Sequence, residues 1–147
     1  MVLQKMYLKV WRSSLGLRTR GRKFLLQCRY AADANGQTVS ENMELMSMST
    51  RIPDAETRVW VKQLAVAVGD NREELDALIA DSLVNWSLDR LTPITKLILE
   101  QAAAEKNYLS IPAPVAIKEA VRLAVEFEGA KTGSFVNGVL DRILIKG

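Results

Sequence analysis

The chain has 147 residues, 48% hydrophobic and 25% charged, with a net charge of +3 at pH 7, enough for one compact domain with a real core. It contains no histidine and one cysteine, which excludes imidazole acid–base chemistry, an internal disulfide and a His- or Cys-cluster zinc site, and favours a reducing compartment. No run of about 18 apolar residues occurs, so no membrane span is expected, and Lys5 and Lys9 interrupt the apolar start that a secretion signal needs.

The charge is unevenly spread. Residues 1–30 hold Lys5, Lys9, Arg12, Arg18, Arg20, Arg22, Lys23 and Arg29 with no Asp or Glu, whereas the remainder holds twelve basic and seventeen acidic residues. A basic arm on an acidic body points to an anionic partner for the arm.

Taken in order, residues 1–15 read either as a short helix with Leu3, Met6, Tyr7 and Val10 on one side or as a disordered arm. Residues 18–33 read as the first core helix, with Phe24, Leu25, Cys28 and Ala32, or Tyr30 with Leu26, facing inward. Gly21 interrupts its start at a cost of roughly 1 kcal/mol against Ala, so this basic turn is expected to fray until a ligand orders it. Asn35-Gly36 signals a turn, followed by a short helix around Met43, Met46 and Met48 and a mobile loop. After Pro53 a helix is expected over 54–69, burying Val59, Trp60, Leu64, Ala67 and Val68. Asp70 through Glu73 resembles a capping box with Asp70 as N-cap, opening a helix over 72–84 with a stripe of Leu75, Leu78, Ile79 and Leu83.

Thr92-Pro93 opens the next helix, which runs to about Asn107, since proline is well placed at a first helical position. Pro112 and Pro114 start another, and Gly129 suits its end. Its inward face is Val115, Ala116, Ala120, Leu123, Ala124 and Phe127, with Lys118, Glu119, Arg122 and Glu126 opposite. A link over 129–134 leads to a last helix with Phe135, Val136, Val139, Leu140, Ile143 and Leu144 as its stripe. No strand alternation or internal repeat stands out. The fold class expected is all-α, about seven helices in two packed groups, roughly 18–84 and 92–145.

Arg18, Arg20, Arg22 and Lys23 lie within two helical turns and are expected to present one cationic surface. Arginine forks phosphates with two bonds and stays charged at any physiological pH. Cations at a helix N-terminus oppose its dipole, so a merely solvated helix start explains the cluster less well than a polyanion such as RNA. Lys131, in the link, adds a cation; the link is no P-loop, lacking the Gly-Lys-Ser/Thr ending. Phe135 has two readings, a core residue or a platform for an unpaired base. Asn137 is expected to satisfy backbone groups between helices. Glu73, Glu74 and Asp76 match a helix dipole, and neither they nor Glu126 and Glu128 have a nucleophile or base partner. No enzyme activity, metal or cofactor is expected, and Cys28 reads as a packing residue.

Several of these runs carry a family resemblance. Val-Ala-Ile-Lys-Glu-Ala at 115–120, Phe127, and Phe-Val-Asn-Gly-Val-Leu-Asp at 135–141 are similar to the C-terminal signature of the NusB family of bacterial transcription antitermination factors. Glu-Leu-Asp-Ala-Leu-Ile at 74–79, Asn-Trp-Ser-Leu-Asp-Arg-Leu at 85–91 and the continuation Ile94, Ile98 and Leu99 also resemble it. So do Arg18, Arg20, Arg22, Gln27 and Tyr30 in the first helix. The resemblance covers about 18–145, leaving 1–17 as an extension to a domain over 18–147.

The resemblance implies a cytoplasmic factor that binds boxA-type single-stranded RNA of ribosomal transcripts. It would act with NusE and other Nus factors on elongating RNA polymerase, Arg18, Arg20, Arg22, Lys23, Gln27, Lys131 and Phe135 forming the RNA surface. The chain departs from the family pattern at Gly21 for Ala, Arg29 for Leu, Ile94-Thr95-Lys96 for Val-Asp-Arg, Glu100 for Arg and Ala104 for Tyr. The last group, with Lys96, Glu100, Ala104 and Glu105, is expected to be an altered exposed face where the family meets NusE. A protein-interaction or self-associating (homodimeric) module with a changed partner surface is the alternative. NusB-like domains also precede ribosomal-RNA methyltransferases, and with 147 residues that second domain and its activity are not expected here.

Overall fold

The structure, a computed structural model, describes residues 16–48, 52–84 and 86–146. The expected arm over 1–15, and with it most of the 1–17 extension, lies outside the described residues. The described chain is helical, with no strand: α1 (Leu17–Asn35), α2 (Val39–Ser47), α3 (Ala55–Asp70), α4 (Arg72–Ser82), α5 (Pro93–Leu109), α6 (Ala113–Glu128) and α7 (Ala130–Asp141). A 3-10 turn, Leu88–Arg90, precedes α5, and a π turn, Arg142–Lys146, follows α7.

The chain divides into two compact units, Met1–Ala65 and Val66–Gly147. This corrects the expected grouping: the division falls inside α3, and α4 packs on α5 in the second unit rather than joining the first.

In the first unit α1 and α2 pack together. Phe24, Leu25, Leu26 and Cys28 are buried, whereas Tyr30 is left exposed. Gly36, at φ 74°, ends α1. The start of α2 is a capping box: Glu41 N donates to Thr38 Oγ1 at 3.0 Å and Thr38 N donates to Glu41 Oε1 at 3.2 Å, satisfying two donors that a helix start leaves open. Buried Asn42 and Asn35 exchange side-chain hydrogen bonds, the shorter at 2.9 Å. Cys28 Sγ lies 3.5 Å from Met46 Sδ, and burial pushes its thiol up to about 12, so it carries almost no thiolate at neutral pH.

At the start of α3 the Asp54 carboxylate accepts from Thr57 N at 2.9 Å and from Thr57 Oγ1 at 2.7 Å. These bonds from Thr57 hold the Asp54 carboxyl below its ordinary range. Trp60, Val61 and Leu64 turn inward. Val59, expected inside, is exposed, and Val61 takes its place.

Gly21 is also a correction. A Cβ there would come within 2.6 Å of Val61 Cγ2 and 3.4 Å of Thr57 Cγ2. The glycine lets α1 approach α3 closely, and the turn it occupies is regular helix.

In the second unit α4 has Asn71, not Asp70, at its N-cap, and no side chain caps it. The expected capping box fails because Asp70 still belongs to α3, and Asn71 Nδ2 instead donates back to Ala67 O at 2.8 Å. Leu75 and Ile79 are buried, with Leu78 and Leu83 half-buried. The start of α5 is as the sequence predicts: Thr92 accepts from Thr95 N, and Pro93 occupies the first turn. From Leu97 to Glu105 every residue of α5 is buried, so it is enclosed on all sides. The small side chains of Ala102, Ala103 and Ala104 allow that enclosure.

α6 packs on α5 and α7 through Ala116, Ile117, Ala120, Leu123 and Ala124. Val115 and Phe127, expected on this face, are exposed. The expected link over 129–134 shrinks to Gly129 alone, because α7 begins at Ala130. Gly129 ends one helix and caps the next at φ 96°, ψ 177°, a region essentially reserved for glycine. Gly133 lets α7 close on α6, since a Cβ there would lie 2.6 Å from Val125 Cγ2.

Candidate nucleic-acid interface

The basic segment is the first two turns of α1. No acidic residue and no capping side chain balances its dipole. Arg18 is exposed, and Arg20 and Lys23 are half-buried. Arg22 is only 4% exposed, which corrects the expectation that all four cations share one open surface. Spacing put Arg18 and Arg22 one turn apart on the same side, and Trp60 of α3 fills that side. The guanidinium carbons of Arg18 and Arg22 each lie 4.8 Å from the Trp60 ring centroid. Such a contact contributes about 0.5–1 kcal/mol when exposed and more when dry. Trp60 therefore packs against the buried Arg22 and braces the exposed Arg18 guanidinium. Gln27, one turn beyond Lys23, is half-buried. Arg29 is also buried.

The remaining nucleic-acid candidates lie in the second unit. Lys131 is exposed on the first turn of α7, and Phe135 stands one turn on, half-buried. Its ring centroid lies 6.4 Å from that of Trp86, with the planes tilted by 59°. Neither reading of Phe135 is complete alone: part of the side chain packs and part is open. Asn137, expected between helices, is exposed.

The expected partner face on α5 is corrected by burial. Glu100 has no exposed surface, and Ala104 and Glu105 are buried with it. Arg72 Nε donates to Glu100 Oε2 at 3.1 Å, so the carboxylate that replaces the family's arginine meets a cation of its own chain. Lys96 is half-buried and lies 3.6 Å from Asp76 Oδ2. Ala104, in place of a tyrosine, belongs to the enclosed stretch of α5 rather than to a surface.

The sequence reading missed two things. One was Trp60 as the anchor of the basic turn. The signal was present, a tryptophan in a helix otherwise rich in valine and alanine, but nothing local says which cations it meets. The other was Trp86, whose exposure nothing in the run at 85–91 signals.

A profile described as the NusB family matches residues 19–144. The chain belongs to the NusB family. A transcription antitermination protein NusB of Nostoc punctiforme is 37% identical over 100 residues, covering 68% of this chain and 46% of that protein; the chain thus spans about half the length of that relative. A NusB of Clostridium perfringens is 30% identical over 128 residues, covering 86% of this chain and 95% of that one. Among solved structures, antitermination factors NusB and NusE in complex with dsRNA match with a TM-score of 0.81 at 26% identity, over 89% of this chain and 98% of that one. The NusB family resemblance and the all-α expectation are thereby met. Among the described residues no helix is long and apolar enough to cross a membrane.

Proposed function

We propose that the chain is a transcription antitermination factor that acts by binding rather than catalysis, in the cytoplasm. It recognises boxA-type unpaired RNA of ribosomal transcripts together with a NusE-type ribosomal protein, and the complex rides on elongating RNA polymerase. Family membership and the solved complex of NusB and NusE with dsRNA support the RNA and NusE parts of this reading. The observation that carries it in this chain is the exposed Arg18 guanidinium, held by Trp60 on a helix start with no acidic residue.

Arg18, Arg20 and Lys23 are the phosphate contacts, Gln27 a polar contact beside them, and Lys131 and Phe135 the second group. Arg22 supports the turn from inside. The partner contact is not assigned to Glu100, Ala104 or Glu105, because each is enclosed within this chain.

The test is anisotropy of a labelled boxA-type RNA titrated with the chain, with and without a NusE-type protein. Arg18→Ala with Arg20→Ala is expected to weaken binding by about tenfold or more, since a charged hydrogen bond contributes roughly 1.5–3 kcal/mol. Affinity unchanged in that variant, with its thermal unfolding intact, overturns the proposal.

A further inference from the structure

We propose that Trp86 is a second base-stacking residue, and that Trp86, Phe135 and the stripe Lys131–Gly138–Arg142 form a track for a short run of unpaired nucleotides on the second unit. This rests on the RNA-binding reading above and adds residues to it.

Three observations converge. The first is exposure: Trp86 is 52% exposed, although a tryptophan in a folded protein is on average highly buried. It stands just before the 3-10 turn and leans on Phe135 at 6.4 Å with planes 59° apart. A tilted pair leaves one ring face open beside the edge of the other, which a base can cover once it leaves its own stack.

The second is spacing. Residues 131, 135, 138 and 142 recur at intervals of four, three and four, which keeps them on one helix face. Lys131 and Arg142 are exposed, and Phe135 and Gly138 are half-exposed. A Cβ on Gly138 would meet nothing within 4 Å, so the backbone there lies bare beside the ring. From 131 to 142 the axis advances about 16 Å at 1.5 Å per residue. A stacked strand advances about 3.4 Å per nucleotide, so the stripe fits about four or five.

The third is charge. Cations stand at both ends of the stripe, and the acidic residues next to them are engaged. Glu128 Oε1 accepts from Thr92 Oγ1 at 2.6 Å and Thr95 Oγ1 at 2.7 Å, and Asp141 Oδ2 lies 3.1 Å from Lys146 Nζ. Rings between two cations match the alternation of base and phosphate. A duplex hides its base faces and gains only the phosphate contacts.

The experiment uses the full chain and three variants, Trp86→Ala, Trp86→Phe and Arg142→Gln, titrated against one labelled oligoribonucleotide as a single strand and as a duplex. Removing one stacked base changes affinity by about five- to hundredfold. Trp86→Ala is expected to lose that much for the single strand and far less for the duplex. Trp86→Phe retains most of the affinity, and Arg142→Gln weakens both forms. An abasic scan of the RNA identifies the stacked position, where removing the base costs wild type but not Trp86→Ala. If Trp86→Ala binds like wild type while Arg18→Ala with Arg20→Ala does not, the inference is overturned and the RNA reading stands. If the wild-type chain does not bind RNA, both fall.

Discussion

At the scale of single residues, Glu100 decides how the second unit handles charge. A carboxylate with no exposed surface needs a cation, and Arg72 supplies it from the first turn of α4 at 3.1 Å. Removing one partner of a buried pair costs roughly 3–5 kcal/mol where nothing else holds the charge, and less where further contacts remain. The Arg72 side chain is 38% exposed, so water screens part of this and the expected loss for Arg72→Leu is about 2–3 kcal/mol. Chemical denaturation checks the value, and adding Glu100→Gln is expected to recover part of it by removing the buried charge. Stability unaltered in Arg72→Leu would show that the pair is incidental. None of this was legible in the sequence. A charged side chain reads as a surface residue until its neighbours are known, and Arg72 lies 28 positions away. The burial of Arg22 is hidden from the sequence for the same reason, because it involves Trp60 of another helix.

At the scale of elements, helix ends were legible where the signal is confined to a few residues. Thr92-Pro93 and Gly129 work through local torsions and bonds, so they are found where the sequence puts them. Asp70-to-Glu73 has the same letters as a capping box and fails, because the preceding helix had not yet ended. Thr38-to-Glu41 has those letters too and succeeds. Helix faces were legible to within a residue or two: Val59 gave way to Val61, and Val115 and Phe127 came out of the core. The α1–α3 contact offers a sharp test. In an open helix Gly→Ala gains about 1 kcal/mol. At position 21 the added methyl would sit 2.6 Å from Val61 Cγ2, and overpacking typically costs about 1–3 kcal/mol. Gly21→Ala is therefore expected to lower the melting temperature, and Gly21→Ala with Val61→Ala to undo part of that crowding. If the single substitution raises the melting temperature, the close approach is wrong. The Asp54 cap adds a pH signature. Its carboxyl is lowered in the folded chain, so its contribution is full above the ordinary carboxyl range and fades as pH drops through the lowered value.

At the scale of the whole molecule, the all-α class and the number of helices among the described residues could be read from periodicity and breakers. The division into units could not, because nothing in a sequence says that a boundary falls within a continuous helix. The uneven charge was legible from the start and governs behaviour in salt. On a single strand, each phosphate neutralised contributes about −0.7 to the slope of log affinity against log salt. With Arg18, Arg20, Lys23, Lys131 and Arg142 as contacts, the slope is expected between about −2 and −3.5. Arg20→Ala should flatten it by about 0.7. Titrations at several salt concentrations measure this directly, and a flat dependence would remove phosphate contact as the source of affinity.

The one-residue hinge between α6 and α7 carries a stereochemical consequence. At φ 96°, ψ 177° the backbone of Gly129 has the handedness of a D-amino acid in its extended basin, and a Cβ there would meet nothing within 4 Å. L-alanine would be strained by roughly 1–3 kcal/mol, whereas its enantiomer, introduced by chemical ligation, would rest in a natural minimum. The C-terminal hairpin would then be tightened by a building block that ribosomal synthesis does not supply, and glycine is the encoded residue that comes nearest to it.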